Sequence, residues 1–252
     1  MNKKNNLISV FFLLVPGFLF LISFTHIPAV KTLMNSFYST GRGKRPSKFV
    51  GFDNYEVLWS DTTFWQVFSN NIIYAFVVIP TSILLSLAMA LWVNSKIIGR
   101  PFLRFSYFLP TVLPLIAVGN IWLFFYAPGF GLIDQVVTSL GFDSLNILGS
   151  QETALWGVMA VGIWKEAGFY MIFYLAGLQA IPPDLKEAAM IEGANKWYIF
   201  WRITFPLLTP TTLFVSVNAV INSFRQIDHI VVMTQGGPDY SSTLLLYYIY
   251  EA

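Results

Sequence analysis

Two adjacent charges, Lys165 and Glu166, sit near the middle of an otherwise uncharged stretch, residues 154–177. Insertion of a lysine at the centre of a membrane helix costs about 2.5–3.5 kcal/mol, and acidic side chains are also unfavourable there, so both groups need a wet or paired environment. Neighbours on a helix point about 100° apart and cannot easily satisfy each other, so at least one faces a cavity or another helix. An interhelical ion pair that merely holds helices together is the alternative. Further along, Asn218, Asn222 and either Arg225 or Gln226 recur at helical spacing, with Ser223 alongside. Such a stripe either joins helices or lines a path. Its chemistry is recognition: amides and hydroxyls suit a hydroxyl-rich solute, and Lys165 or Arg225 suits a phosphorylated one.

Residues for covalent chemistry are missing. The chain has no cysteine and only two histidines, His26 and His229, so disulfides, thiolate sites and an HExxH zinc helix are excluded. No nucleophile elbow occurs. The stretch Gly41-Arg42-Gly43-Lys44-Arg45 lacks the spacing of a phosphate-binding loop and follows no strand, so any ATP that drives this protein binds elsewhere. A net charge of +2, without basic clusters interleaved with aromatics, argues against nucleic acid.

The elements that must hold these residues are membrane helices. Of 252 residues, 56% are hydrophobic and 11% charged, too apolar for a soluble domain of this size. Uncharged runs such as Leu7–Phe24 and Phe105–Ile133 approach or exceed the roughly 20 residues that cross a bilayer as helix. No alternating strand pattern recurs, so the expected fold class is an all-α polytopic membrane protein. Spans are expected at 7–29, 70–93, 105–126, 154–177 and 206–225, in a single transmembrane domain over 1–252. The first run is too long for a signal peptide, and Ile27-Pro28-Ala29 makes a poor cleavage site. The loop between the first two spans should hold a short helix near Asn54–Trp59, and the glycine-rich stretch Ala127–Glu152 should be a second loop on the same side. Lysines and arginines divide eight to five in favour of the side holding the N-terminus and the 94–104 and 178–205 loops, which predicts a cytoplasmic N-terminus.

The segment Ile181–Pro210 reads IPPDLKEAAMIEGANKWYIFWRITFPLLTP. Pro182 and Pro183 end the preceding helix, Asp184 is placed as an N-cap, and Glu187 three positions later can complete a capping box. Gly193 should end this short helix in a left-handed cap. Ala194–Phe205 should follow as a second helix, whose Trp197, Phe200, Trp201 and Thr204 recur at helical spacing as a membrane-surface face. Ala188 and Ala189 expose almost no side chain and would admit another protein's backbone. An ordinary amphipathic connector is the alternative.

Glu187-Ala188-Ala189, Gly193 and Pro206, in this order, resemble the EAA loop of the permease subunits of binding-protein-dependent ABC importers. Leu178-Gln179-Ala180-Ile181-Pro182, Thr234-Gln235-Gly236-Gly237-Pro238 and Phe49-Val50-Gly51-Phe52-Asp53-Asn54-Tyr55 are similar to segments of the carbohydrate-uptake branch, which includes maltose and glycerol-3-phosphate permeases.

The resemblance implies a permease fold in the bacterial or archaeal inner membrane and no enzymatic activity in this chain. Its partners would be a second permease subunit, two ATPase subunits carrying ATP and Mg, and an extracytoplasmic binding protein. The solute would be a sugar, oligosaccharide or related polyol phosphate. Asp184, Glu187, Ala188, Ala189, Glu192 and Gly193 would couple to the ATPase, with Glu192 standing where an Asp is common. Because the family passes solute between the helices flanking this loop, Lys165, Asn222, Ser223 and Gln226, with Glu166 and Phe169, are the expected path residues. Family members continue past the segment matching Thr243–Glu251 with one more helix, so a sixth span is expected to be missing after Ala252. The rival reading is a self-sufficient secondary transporter that uses Lys165, Glu166 and Arg225 for ion coupling.

Overall fold

The computed structural model describes residues 3–39, 47–95 and 98–251, with side chains from Val10 onward. The Gly41–Arg45 stretch, Pro46 and Lys96 lie outside the described residues. The chain forms two compact units, residues 1–64 and 65–252. In the first, α1 (Lys3–Leu21) continues through a π-helical turn, Ile22–His26, into α2 (Ile27–Asn35). An isolated antiparallel bridge joins Tyr38 to Phe49, and α3 (Asp53–Ser60) follows, on the residues expected for a short loop helix. Asn54 holds this region together: its Nδ2 donates to the carbonyls of Ser36 (2.7 Å) and Tyr38 (3.0 Å).

α4 (Thr62–Asn94) begins at the end of the first unit and runs into the second, which also contains α5 (Arg100–Val112), α6 (Leu115–Tyr126), α7 (Leu132–Ser139), α8 (Ala154–Ala180), α9 (Pro183–Ile191) and α10 (Lys196–Ile199). A second π turn, Phe200–Thr204, leads into α11 (Phe205–Leu207), then α12 (Thr209–Arg225), α13 (Asp228–Met233) and α14 (Leu245–Glu251). Among the described residues, three stretches are unbroken and long and apolar enough to cross a membrane: Val10–Asn35, Thr62–Asn94 and Ala154–Ala180.

Of the other two, the expected third span is broken into α5 and α6, which meet at 104°, while the expected fifth is α12, which meets the preceding Lys196–Leu207 helix at 63°. Proline chemistry explains both bends. Pro114 has no N–H for the carbonyl of Pro110, and the residue before a proline is pushed towards extended backbone. Leu113 accordingly adopts φ −74°, ψ 136°. The same four-residue spacing recurs at Pro206 and Pro210, where Leu208 marks the bend and α12 begins at Thr209 instead of residue 206. Each π turn ends two residues before a proline, Pro28 or Pro206, where a widened turn relieves the clash of the ring with the preceding carbonyl.

α8 is the centre of the second unit. Its lower half, including Tyr170, Tyr174 and Leu178, packs with Ala90 and Val93 of α4 and Val215 and Ala219 of α12. Its upper half, including Leu155 and Met159, packs with Tyr74 and Val78 of α4 and with Ile230 and Leu244. Small residues allow the approach. A Cβ on Gly168 would collide with the Tyr107 carbonyl of α5, and one on Gly162 would lie 2.5 Å from the Tyr74 hydroxyl. Without a hydrophobic drive between helices in lipid, such close contact supplies the attraction.

Gly168→Val should therefore destabilise the packing of α5 on α8 by about 1–3 kcal/mol, the usual cost of overpacking. Thermal unfolding of the detergent-purified protein should fall in temperature for this variant. Gly17→Ala, where nothing lies within 4 Å of the added carbon, should leave it unchanged.

Candidate functional site

The segment after α8 begins at Ile181, extended and 7% exposed, which fixes the end of the helix to the core. Pro182 is the N-cap residue and Pro183 the first residue of α9, with no side-chain cap bond. This corrects the expected capping box: Asp184 lies within the first turn instead of at its cap. Proline is well suited to the first helical position, where its missing N–H has no partner in any case, and it moves the cap two residues earlier, from Asp184 to Pro182.

The C-terminal end follows the expectation for Gly193. Its φ is +84°, its N–H donates to the Met190 carbonyl (3.1 Å), and the Ala194 N–H donates to the Ala189 carbonyl (2.9 Å). These two bonds are a Schellman closure, which requires a left-handed residue where they cross. The second helix starts two residues later than expected and runs through the π turn to Leu207. Asn195 caps it, Oδ1 accepting from the Tyr198 N–H at 2.8 Å, and α10 gives way to the π turn after Ile199. Ile199 is buried, while Trp197, Tyr198 and Trp201 are exposed.

Between the two anchors, Ile181 and Ile199, no residue of α9 is buried. Leu185, Met190 and Ile191 are 46%, 55% and 88% exposed, and Glu187 and Ala188 are also exposed, with Ala189 half-buried. A short helix that holds its shape by backbone closure and presents apolar side chains outward is a surface prepared for contact.

A second site gathers around Glu166. Its Oε1 accepts from Gln226 Nε2 at 2.5 Å, and Gln226 Oε1 accepts from the Tyr74 hydroxyl at 3.1 Å. The same hydroxyl lies 3.5 Å from His229 Nε2, and Asn222 Nδ2 donates to the Tyr170 hydroxyl at 3.2 Å. Glu166, Gln226 and Asn222 are thus brought together by α8 and the end of α12. Phe169, half-buried, makes an edge contact with Phe173. Ser223 points into the core and donates to its own Val220 carbonyl.

Lys165 is turned away from this cluster. Its Nζ donates to the carbonyls of Pro110 (2.9 Å) and Leu113 (2.5 Å). The first is the carbonyl that Pro114 cannot serve, so the lysine supplies the donor that the broken span lacks. Tyr74, Tyr170 and His229 belong to the cluster but were not indicated by sequence. Tyr74 stands 152 residues from its partner Gln226, beyond the reach of local spacing.

The loop between α6 and α8 is organised by Asp134. Its carboxylate accepts from the Ser144 hydroxyl (2.8 Å) and the backbone N–H groups of Leu145 (2.9 Å) and Gly129 (2.8 Å). These donors, Ser144 first, hold its pKa below the usual value, and desolvation by burial opposes them. Farther on, the turn at Thr234–Pro238 is closed by hydroxyls: Ser242 donates to the Gly237 carbonyl (2.7 Å) and Thr243 to the Gly236 carbonyl (2.8 Å).

Residues 82–251 match the family model described as the binding-protein-dependent transport system inner membrane component. The chain is 32% identical over 240 residues to the sulfoquinovosyl glycerol transport system permease protein SmoG of Agrobacterium fabrum, covering 95% of this chain and 78% of that one. It is 31% identical over 233 residues to the trehalose/maltose transport system permease protein MalF of Thermococcus litoralis, covering 92% and 79%. Its fold is similar to a chain in the crystal structure of a bacterial ABC transporter that imports the acidic polysaccharide alginate. That match has a TM-score of 0.83 at 24% identity and covers 99% of this chain and 84% of the other.

The Asp134 geometry makes the α6–α8 loop acid-sensitive. Because the folded pKa is depressed, the stabilisation is present above the ordinary carboxylate value of about 4 and is lost as pH falls through the lower folded value. Limited proteolysis should find residues 127–152 resistant at pH 7 and increasingly cut by pepsin as the pH drops below about 4. Asp134→Asn, which retains one acceptor but introduces an amide facing donors, should be cut already at neutral pH by a neutral protease.

Proposed function

The chain belongs to the family of binding-protein-dependent transport system inner membrane components, and on that premise we propose that α9 is the helix through which a cytoplasmic ATPase drives it. It is a multi-pass inner-membrane permease subunit of an ABC importer, and ATP hydrolysis belongs to a separate subunit. The observation that carries the coupling proposal is that no residue of α9 is buried, although it lies between two buried anchors, Ile181 and Ile199. Ala188 and Ala189 permit close packing, Gly193 fixes the turn, and Asp184, Glu187 and Glu192 supply the charge that faces the ATPase. ATP and Mg are held on that partner. In this reading residues 1–252 are one transmembrane domain with a cytoplasmic N-terminus, and the loop 181–210 lies on the cytoplasmic side.

The solute is a sugar, an oligosaccharide or a related polyol phosphate, delivered by the binding protein. The names of the two curated relatives, which concern sulfoquinovosyl glycerol and trehalose or maltose, support this class. So does the chemistry of Asn222, Gln226 and Glu166, whose amides and carboxylate match hydroxyl groups, with Phe169 beside them for stacking. Lys165 and Ser223 frame the path from behind, because their polar atoms are engaged with backbone carbonyls.

Ala189→Arg and Gly193→Val test the coupling. The arginine adds bulk and charge where a partner backbone would approach. The valine forces a β-branched residue into φ > 0, where it is strained. Each should abolish solute uptake or release the ATPase on purification, while the permease itself remains in the membrane in normal amount. Normal uptake together with normal co-purification of the ATPase would overturn the assignment of α9.

A further inference from the structure

Lys165 and Glu166 are consecutive on α8, yet each is bonded to the interrupted end of a different helix. Lys165 holds the end of α5 through Pro110 and the linker through Leu113, so it grips the bend on both of its sides. A cation at the C-terminal end of a helix is also where the helix dipole favours it. Glu166 accepts from Gln226, the residue at which α12 stops and the backbone turns extended, with ψ 123°. Beyond these two breaks the chain continues as α6 and α13, which pack on each other. A Cβ on Gly119 of α6 would lie 3.2 Å from Val232 of α13. The two halves beyond the breaks therefore form one packed pair, which lies against α8 around Val161 and is bonded to it at its two roots.

α8 itself passes into α9 through only Ile181 and Pro182. A displacement of α9 is thus a displacement of α8. We infer that Lys165 and Glu166 form a two-sided clasp through which α8 passes the movement of α9 to the α6–α13 pair, an inference that rests on α9 being the coupling helix. The contacts also leave room for a second arrangement. His229 Nδ1 is buried without a hydrogen bond, and the Tyr170 hydroxyl is shared between Glu166 and Asn222. Buried polar groups are ordinarily satisfied, and an orphan beside the Gln226 junction fits a junction that exchanges partners. Lysine suits the other side, since its ammonium carries three donors on a flexible stem and can follow a shifting carbonyl. Both residues are positioning residues in this scheme.

The chain contains no cysteine, so a single one can report on α6. Ile116, 53% exposed, is the site. The importer complex carrying Ile116→Cys would be purified with its ATPase, reconstituted in proteoliposomes, and labelled with a maleimide probe in the absence of nucleotide and after trapping with ATP and orthovanadate. With Lys165 intact, the labelling rate should change by about fivefold or more, the scale of ordinary coupling between sites. Lys165→Met should remove that change and Lys165→Arg should restore it. Glu166→Gln should weaken it.

Loss of structure is separated from loss of transmission by Lys165→Met combined with Pro114→Ala, which returns an N–H to serve the Pro110 carbonyl. The double variant should assemble in normal amount with its nucleotide response still absent. Return of the response in the double variant would overturn the clasp, because the lysine would then only satisfy a carbonyl. An unchanged response in Lys165→Met would overturn it as well. No response with Lys165 intact would overturn the coupling role of α9 and the clasp together.

Discussion

Inside a bilayer every backbone N–H and carbonyl must find a partner within the protein, and the structure is arranged around the places where proline prevents this. Lys165 is the clearest case. The break at Leu113–Pro114 leaves the Pro110 carbonyl without its usual donor, and a lysine from the adjacent straight helix supplies one. The charge that looked anomalous in an apolar span is thereby accounted for, and α8 becomes the support on which a bent span can exist. The same helix meets α4, α12 and α13 on its other faces, with Gly162 against Tyr74 of α4 and Gly177 against Thr211 of α12.

The parts of this design that could be read from sequence are those set by local chemistry. Uncharged runs located the membrane helices, since their length and lack of charge are properties of the run itself. Gly193 could be assigned to a helix stop because few other residues adopt its φ of +84° at low cost. The α9 cap falls two residues before the expected Asp184 because two good signals compete, and Pro183 at the first position outweighs Asp184 at the cap.

The breaks were less legible. Hydropathy reports that residues 105–126 are apolar and carries no information about direction, so a bend of 104° leaves no trace in it. The signal that was present is the pair of prolines four apart, Pro110 with Pro114 and Pro206 with Pro210, in which the second lacks the N–H that the carbonyl of the first requires. The Glu166 cluster was half legible. Asn222 and Gln226 share a helical stripe, and Glu166 stood out by its charge, but Tyr74 and His229 join them only through tertiary packing.

The attachment of the Thr234–Leu245 region to α4 bears on how the protein is made. Asn70 Nδ2 donates to the carbonyls of Tyr240 and Thr243, and Asn71 Oδ1 accepts from the Leu245 N–H. These partners lie 170, 173 and 174 residues further along the chain. When α4 leaves the ribosome and enters the membrane, neither asparagine has its final partner. Water, lipid headgroups or the insertion machinery must serve these amides while the intervening residues are synthesised. The second span is therefore threaded early and locked late, and its final seat depends on residues translated about 170 positions after it.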